Sequence, residues 1–177
     1  GLTLDLDRHF SADVRQGSAL DPSRMFGSTP GQVATYAGAF LDGLQQHHVA
    51  GTLKHWPGLG AATGNPDFTL PTVHHTRAQL AAIDFKSFQL LLPHQPDLIM
   101  VTHVLVPAYD AHAPASLSPI LVAQVLRSQY GYWGVVVTDS LDSAGLLNYM
   151  HQLGYWNTAT ALGEAAVRAI LAGDGLV

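Results

Sequence analysis

The sequence predicts an α/β fold in which short buried strands alternate with helices. Four short runs, at residues 49–53, 98–101, 135–137 and 176–177, carry apolar side chains at consecutive positions. This pattern is typical of parallel strands that are covered on both faces. Helical patterns separate the runs, so β–α units repeat with about 36 to 49 residues from strand to strand. No internal repeat or low-complexity linker divides the chain, which predicts a single domain over residues 1–177.

The clearest helical pattern lies between residues 33 and 44, where apolar residues recur at i, i+3, i+4, i+7 and i+8. Thr29 precedes this pattern as an N-cap, and Pro30 takes the first helical position. Further helices are predicted over residues 76–92, 120–129 and 158–172, with a fifth over 141–153.

Composition excludes several classes of function. The chain has 8 Lys and Arg against 13 Asp and Glu, which disfavours nucleic acid as a partner. It has no Cys, so disulfides, thiolate metal sites and cysteine nucleophiles are excluded. Its N-terminal residues lack the pattern of a signal peptide, and no apolar stretch reaches the ~18 residues of a membrane span, so we expect no membrane partner. Glu164 is the only glutamate, so carboxylate chemistry encoded here is aspartate chemistry unless Glu164 or another polypeptide contributes.

Polar and ionisable residues follow three of the predicted strands. They are Lys54 and His55 after the first run, Thr102 and His103 after the second, and Thr138 and Asp139 after the third. The carboxyl ends of parallel strands meet at one edge of a sheet, where ligands and catalytic groups lie. We therefore expect these side chains to share one pocket.

Several motifs around these strand ends occur in a fixed order. They are RMFG at 24–27, KHWPGLG at 54–60, THV at 102–104, PASLS at 114–118 and GVVVTDSL at 134–141. Together they resemble the catalytic (β/α) barrel of glycoside hydrolase family 3, and are most similar to its β-N-acetylhexosaminidase branch. In that family the corresponding motifs include Arg-Ser-Phe-Gly, Lys-His-Phe-Pro-Gly-His-Gly and a strand that ends in Ser-Asp or Thr-Asp. The resemblance runs from about residue 12 to residue 176.

The resemblance implies a (β/α)8 TIM-type barrel that is incomplete in this chain. A complete barrel needs about 250 residues, and the 177 residues here correspond to about strands 3 to 7. The family's Asp-Gln-Glu-Gly-Gly segment is absent. Three explanations remain open: the sequence is a fragment, another chain or segment completes the barrel, or the gene encodes a truncated paralogue.

The resemblance also implies a retaining hydrolase that acts on a terminal β-linked sugar, with Asp139 as the nucleophile. Arg24, Lys54 and His55 correspond to sugar-binding residues, and His103 either binds substrate or supports the pocket floor. The implied partner is a carbohydrate, with a β-N-acetylglucosaminide favoured by the motifs alone. No metal or organic cofactor is implied. Similarity to the single-domain hexosaminidases would place the protein in the cytoplasm.

The general acid is the main departure from the family pattern. The hexosaminidase branch has Asp-Ser-His in the loop after the first motif, and its His is the acid/base. At the same distance this chain has Asn65-Pro66-Asp67. Asp67 could act as the acid if closure of the loop buries it and raises its pKa, as carboxylates are tuned elsewhere. Alternatively, Asn-Pro-Asp is only a turn, which its composition also favours.

Two other functions remain as alternatives. The loss of the loop His is compatible with a degenerate barrel that binds sugar or a partner domain without catalysis. The ten histidines are compatible with a second alternative, a metal-dependent hydrolase in which His55, His103 and Asp139 would ligate zinc.

Overall fold

A computed structural model of the protein describes residues 25–177 and the backbone of residues 2–5. Strands and helices alternate along the chain, which confirms the predicted α/β class. The elements are β1 (Leu2–Asp5), α1 (Pro30–Gln46), β2 (Gly51–Trp56), α2 (Arg77–Ala82), α3 (Asp84–Leu91), β3 (Leu98–Val101), a π-helix (Ile120–Gln129), β4 (Val135–Thr138), α4 (Ala144–Gln152) and α5 (Thr158–Ala172).

The four strands form one parallel sheet in the order β1-β2-β3-β4. Spatial order therefore follows chain order, and the helices connect each strand to its neighbour. The predicted strand at 176–177 is reduced to one parallel bridge, in which Leu176 pairs with Val137 of β4. Because all strands run in one direction, their carboxyl ends lie along a single edge, and the polar residues that follow them are brought together there.

Strand β2 begins and ends later than the predicted run of residues 49–53. Its register against β3 shifts between Leu53 and Trp56, which is a local bulge. Trp56 continues the strand because its side chain is fully buried and stacks on Phe85, with the ring centroids 4.9 Å apart. The indole N–H also donates to the carbonyl of Leu121 at 3.2 Å. Consequently Lys54 and His55 lie within β2, whereas the sequence pattern placed them after it.

The helix predicted over residues 76–92 is two helices, α2 and α3, that meet at Ile83. The cause of the break is a tertiary contact at Asp84, the first residue of α3. Its buried carboxylate Oδ2 lies 2.7 Å from His75 Nδ1, and a Cβ atom on Gly58 would come within 2.9 Å of Asp84 Cβ. Periodicity within the segment carries no information about these distant partners.

The other helices confirm the predicted signals. Thr29 caps α1 by accepting from the N–H of Gln32 at 3.2 Å, and α5 ends at Gly173, which has φ +115. The segment at 120–129 is helical, as predicted, but it is a π-helix. Its hydrogen bonds span five residues, as where the N–H of Gln124 donates to the carbonyl of Pro119. Within the described part of the chain, no helix combines the length and apolarity needed to cross a membrane.

Asp174 lies in the turn between α5 and the Leu176 bridge and is buried, with 5% of its surface exposed. Among the described residues, neither carboxylate oxygen has a hydrogen-bond partner. Arg127 is the nearby cation, but its Nη2 donates to the carbonyl of Gly173 at 2.7 Å. Burial raises the pKa of Asp174 to about 8, although the charge of Arg127 opposes the shift.

This raised pKa predicts a pH-dependent stability. The folded state binds the proton of Asp174 more tightly than the unfolded state, so the free energy of unfolding should fall as the pH rises from about 4 to 8. Asp174→Asn, which carries no charge at either pH, should flatten this decline and stabilise the protein at pH 8 relative to wild type. Urea unfolding at pH 5 and pH 8 measures the effect. Equal declines in the two proteins would contradict the assignment.

Candidate active site

The ends of β2, β3 and β4 converge on Asp139. Its backbone N–H continues the ladder by donating to the carbonyl of Val101 at 2.7 Å. The carboxylate is held from both sides: Oδ1 accepts from the N–H of Ser140 at 2.9 Å, and Oδ2 accepts from the hydroxyl of Thr102 at 3.5 Å. Oδ2 also lies 3.7 Å from His55 Nε2. The structure therefore brings together residues from all three predicted strand ends.

Asp139 remains accessible, because 24% of its side chain is exposed while the His55 side chain is almost fully buried. A cavity of about 570 Å³ opens beside it. The end of β4 and the first half of α5 supply its lining, with Thr138, Asp139, Ser140, Leu141, Asp142, Leu162, Gly163, Ala166 and Val177. The lining combines the carboxylates of Asp139 and Asp142 with apolar side chains from the start and middle of α5.

His103 lies beneath this carboxylate and has no exposed surface. Its Nε2 is 2.9 Å from the carbonyl oxygen of Ser140, and its Nδ1 is 2.7 Å from the hydroxyl of Ser116. Burial lowers the pKa of His103, although the charges of Asp139 and Asp67 favour its protonated form. Both ring nitrogens are thus occupied by the protein, which favours the pocket-floor role over direct contact with substrate.

These contacts close a ring of hydrogen bonds under the pocket. The N–H of Ser116 donates to the backbone carbonyl of Thr102 at 3.2 Å, while the hydroxyl of Thr102 donates to Asp139. Ser116 then contacts His103, His103 contacts Ser140, and Ser140 contacts Asp139 again. Three segments of the chain meet in this ring, so a shift in one of them is transmitted to the carboxylate.

Asp67 lies in the loop after β2, which contacts the start of α4. The carboxylate is exposed, and the side chain of Asn65 accepts from the N–H of Asp67 at 2.9 Å, as in an Asx turn. The backbone carbonyl of Asp67 accepts from the N–H of Ala144 at 3.1 Å.

Gly145 provides the surface on which this loop rests. A Cβ atom there would overlap the backbone carbonyl of Thr69 and would lie 2.6 Å from the carbonyl oxygen of Pro66. No larger residue fits without displacing the loop backbone. Gly145 is in the first turn of α4, six residues after Asp139, so the loop and the strand end share one support.

The remaining predicted site residues are placed as follows. Lys54 is partly buried in β2 beside His55, and Arg24 lies outside the described residues. For residues 25–177, no group of three His, Asp or Glu side chains is arranged to hold a metal ion. The zinc alternative also requires a free ring nitrogen on His103, and both nitrogens bind Ser116 and Ser140.

Three residues of the site received no role from sequence analysis: Ser116, Ser140 and Gly145. Ser116 and Ser140 lie inside the quoted motifs, and Ser140 directly follows Asp139. The sequence pattern also placed Thr102 in the pocket, but only the folded chain shows which donor meets which acceptor. Gly145 carried no signal, because its role depends on a loop 75 residues earlier or more.

Comparison with known proteins places this site in a family. The sequence profile described as the glycosyl hydrolase family 3 N-terminal domain matches residues 3–176. The chain belongs to glycosyl hydrolase family 3.

Its relatives include a beta-hexosaminidase of Tolumonas auensis, 33% identical over 147 residues, which cover 81% of this chain and 44% of that protein. The crystal structure of a beta-N-acetylhexosaminidase from Beutenbergia cavernae matches with a TM-score of 0.81 and 31% identity, covering 99% of this chain and 50% of that one. A Neisseria gonorrhoeae structure in complex with N-trifluoroacetyl-D-glucosamine gives a TM-score of 0.76, 28% identity and coverage of 99% and 46%. The chain thus spans about half the length of these relatives.

The packing at Gly145 predicts a local effect of one methyl group. Gly145→Ala should destabilise the protein by about 1–3 kcal/mol, because the backbone of the 65–69 loop must move away. Chymotryptic cleavage after the exposed Phe68, followed by mass spectrometry, should accelerate in the variant.

Gly163→Ala is the matched control. Gly163 lies in the interior of α5, and a Cβ atom there would meet nothing within 4 Å. This substitution should stabilise the protein by about 0.5–1 kcal/mol and leave cleavage at Phe68 unchanged. If both alanine variants gained stability, the loop would not rest on Gly145.

Proposed function

We propose that this chain is the catalytic part of a retaining glycosidase that releases a terminal β-linked sugar, with N-acetylglucosamine the favoured sugar. The observation that carries the proposal is the setting of Asp139. One carboxylate oxygen is held by a backbone N–H, the other lies 3.7 Å from His55 Nε2, and the side chain is partly exposed and lines a cavity. The names of the relatives and the amino-sugar derivative in the Neisseria gonorrhoeae complex support this choice of sugar.

In the proposed reaction, Asp139 attacks the anomeric carbon and forms a glycosyl ester while the bond to the leaving oxygen breaks. An acid donates a proton to that oxygen, so the leaving group departs as an alcohol. Water then attacks the ester, gives up a proton to the same group acting as base, and releases the sugar with retention. A carboxylate is suited to this role because it is a competent nucleophile and also a good leaving group in the second step.

We assign binding of sugar hydroxyls to Lys54, His55 and Arg24. Support for His55 is the position of its Nε2, 3.7 Å from Asp139 Oδ2. Support for Lys54 is its position next to His55 in β2. Charged donors strengthen hydrogen bonds to hydroxyl or acyl oxygens, which suits both cationic side chains.

We assign the general acid to Asp67. Its loop rests on the start of α4, and its charge acts on His103 together with that of Asp139. The exposure of Asp67 means that substrate itself must bury the carboxyl group for efficient proton transfer. A chain in which Asp67 only shapes the turn would instead be the degenerate, sugar-binding barrel.

We propose that the described sheet is strands 3 to 6 of an eight-stranded barrel and that Leu176 begins strand 7. Residues 1–177 are then one partial domain, and a further polypeptide segment completes it. Support comes from the open side of the sheet, where Val135, Leu171, Leu176 and Val177 expose between 44% and 75% of their surface. The relatives are also about twice as long as this chain.

Asp139→Asn should reduce kcat/KM for an aryl β-N-acetylglucosaminide by about 10³-fold or more, since the amide cannot form the glycosyl ester. Thermal stability should change little, because the side chain keeps its shape. Intact-mass measurement after exposure to a 2-deoxy-2-fluoro glycoside should show one adduct on wild type, mapped to Asp139, and none on the variant.

Asp42→Asn is the matched control, because Asp42 lies on α1 with its side chain 46% exposed and contacts His94 outside the site. It should keep wild-type activity and adduct formation. Binding of N-acetylglucosamine to wild type with neither turnover nor an adduct would replace the proposed enzyme by a non-catalytic sugar-binding barrel.

Asp67→Ala should impair substrates with poor leaving groups far more than activated aryl glycosides, which depart without protonation. A difference of about 10²-fold in kcat/KM between the two substrates is expected for loss of a general acid. Asp67→Asn, which preserves the size of the side chain, should show the same contrast. Equal losses on both substrates would leave Asp67 with a role in loop shape alone.

A further inference from the structure

His103 combines complete burial with full use of its ring nitrogens. An imidazole removed from water is destabilising unless its polar atoms are bonded, and here each nitrogen has one protein partner. The two partners, Ser116 and Ser140, lie on different segments of the chain. The ring therefore bridges the loop after β3 and the residue that follows β4.

The chemistry of the partners fixes the proton on the ring. The backbone carbonyl of Ser140 can only accept, so Nε2 carries the hydrogen of the 2.9 Å bond. Burial lowers the pKa of His103, which favours the neutral ring. Nδ1 is then an acceptor, and the hydroxyl of Ser116 donates to it at 2.7 Å. Ser116 thus stabilises the same tautomer that Ser140 requires.

The hydrogen bond between His103 and Ser140 affects the position of Asp139 through the backbone of Ser140. The N–H of Ser140 donates to Asp139 Oδ1 at 2.9 Å, so the position of residue 140 determines where Oδ1 lies. Among the described residues, Oδ2 has longer contacts, to the Thr102 hydroxyl at 3.5 Å and to His55 Nε2 at 3.7 Å. The two oxygens of the carboxylate are therefore unequal, with Oδ1 anchored by a backbone N–H and Oδ2 held less closely, on the side of Thr102 and His55.

We propose that His103 is a positioning residue that anchors Ser140 and thereby orients Asp139 so that Oδ2 is the attacking oxygen. The inference rests on the proposed function of Asp139 as nucleophile. In that step Oδ2 forms the bond to the anomeric carbon, the bond from that carbon to the leaving oxygen breaks, and the general acid supplies the proton. His103 transfers no proton and contacts no substrate.

A histidine that merely fills space would not depend on a donor at the Nε2 position, and this difference defines the test. His103→Gln places an amide N–H near the position of Nε2, whereas His103→Leu fills the space without a donor. The rate of adduct formation with the 2-deoxy-2-fluoro glycoside measures the attack step alone. His74→Gln, at an exposed histidine, is the matched control.

For His103→Leu we expect adduct formation to slow by about 10²-fold, the scale of effect of a misplaced reacting group, while KM changes less than kcat. His103→Gln should recover at least about tenfold of this loss, and His74→Gln should match wild type. The ¹⁵N shifts of the labelled wild-type ring should show hydrogen on Nε2 and none on Nδ1. In Ser116→Ala the hydrogen should stay on Nε2, because the carbonyl of Ser140 still requires a donor there.

A leucine variant that reacts at the wild-type rate would overturn the role of His103 while leaving the proposed function intact. Equal impairment of the folded Leu and Gln variants, or a wild-type ring with its hydrogen on Nδ1, would also overturn it. Absence of an adduct on wild type would instead remove the proposed function, and the positioning role with it. Thermal unfolding of each variant separates slow attack from loss of the fold.

Discussion

The site depends on one constraint, the closed ring of hydrogen bonds that includes the carboxylate of Asp139 and lies under the pocket. A carboxylate on a surface loop would sample several rotamers, whereas this one is held by a backbone N–H on one oxygen and a threonine hydroxyl on the other. Because the ring includes backbone groups of three segments, its geometry follows from the packing of the sheet and not from side-chain preference alone.

The parallel sheet makes this ring possible. Strand order follows chain order, so the residues after β3 and β4 are neighbours at one edge, and His55 of β2 lies at the same edge. The bulge in β2 keeps Lys54 and His55 inside the strand, while the buried indole of Trp56 fixes its end against Phe85 and Leu121. Strands and their ends thus position His55 and Asp139, while Asp67, the proposed general acid, lies on a loop.

Sequence reasoning found the fold class and the shared location of His55, His103 and Asp139, because these follow from local apolar runs and from the geometry of parallel sheets, although β2 extends past its predicted end. It missed the break at Ile83, since that break depends on contacts of Asp84 with His75 and Gly58. It also left the role of His103 open. The identity of hydrogen-bond partners is a tertiary property, and no periodicity in a single chain encodes it.

The contact between the 65–69 loop and α4 has a further consequence for motion. Two acceptors bind N–H groups at the start of α4. The hydroxyl of Ser143 accepts from the N–H of Leu146, and the carbonyl of Asp67 accepts from the N–H of Ala144. If the loop were displaced, the first amide of the helix would lose its acceptor and would have to be rehydrated. Displacement of the loop and fraying of the first turn of α4 are therefore coupled, so the local stability of the helix sets a cost on any movement of the loop.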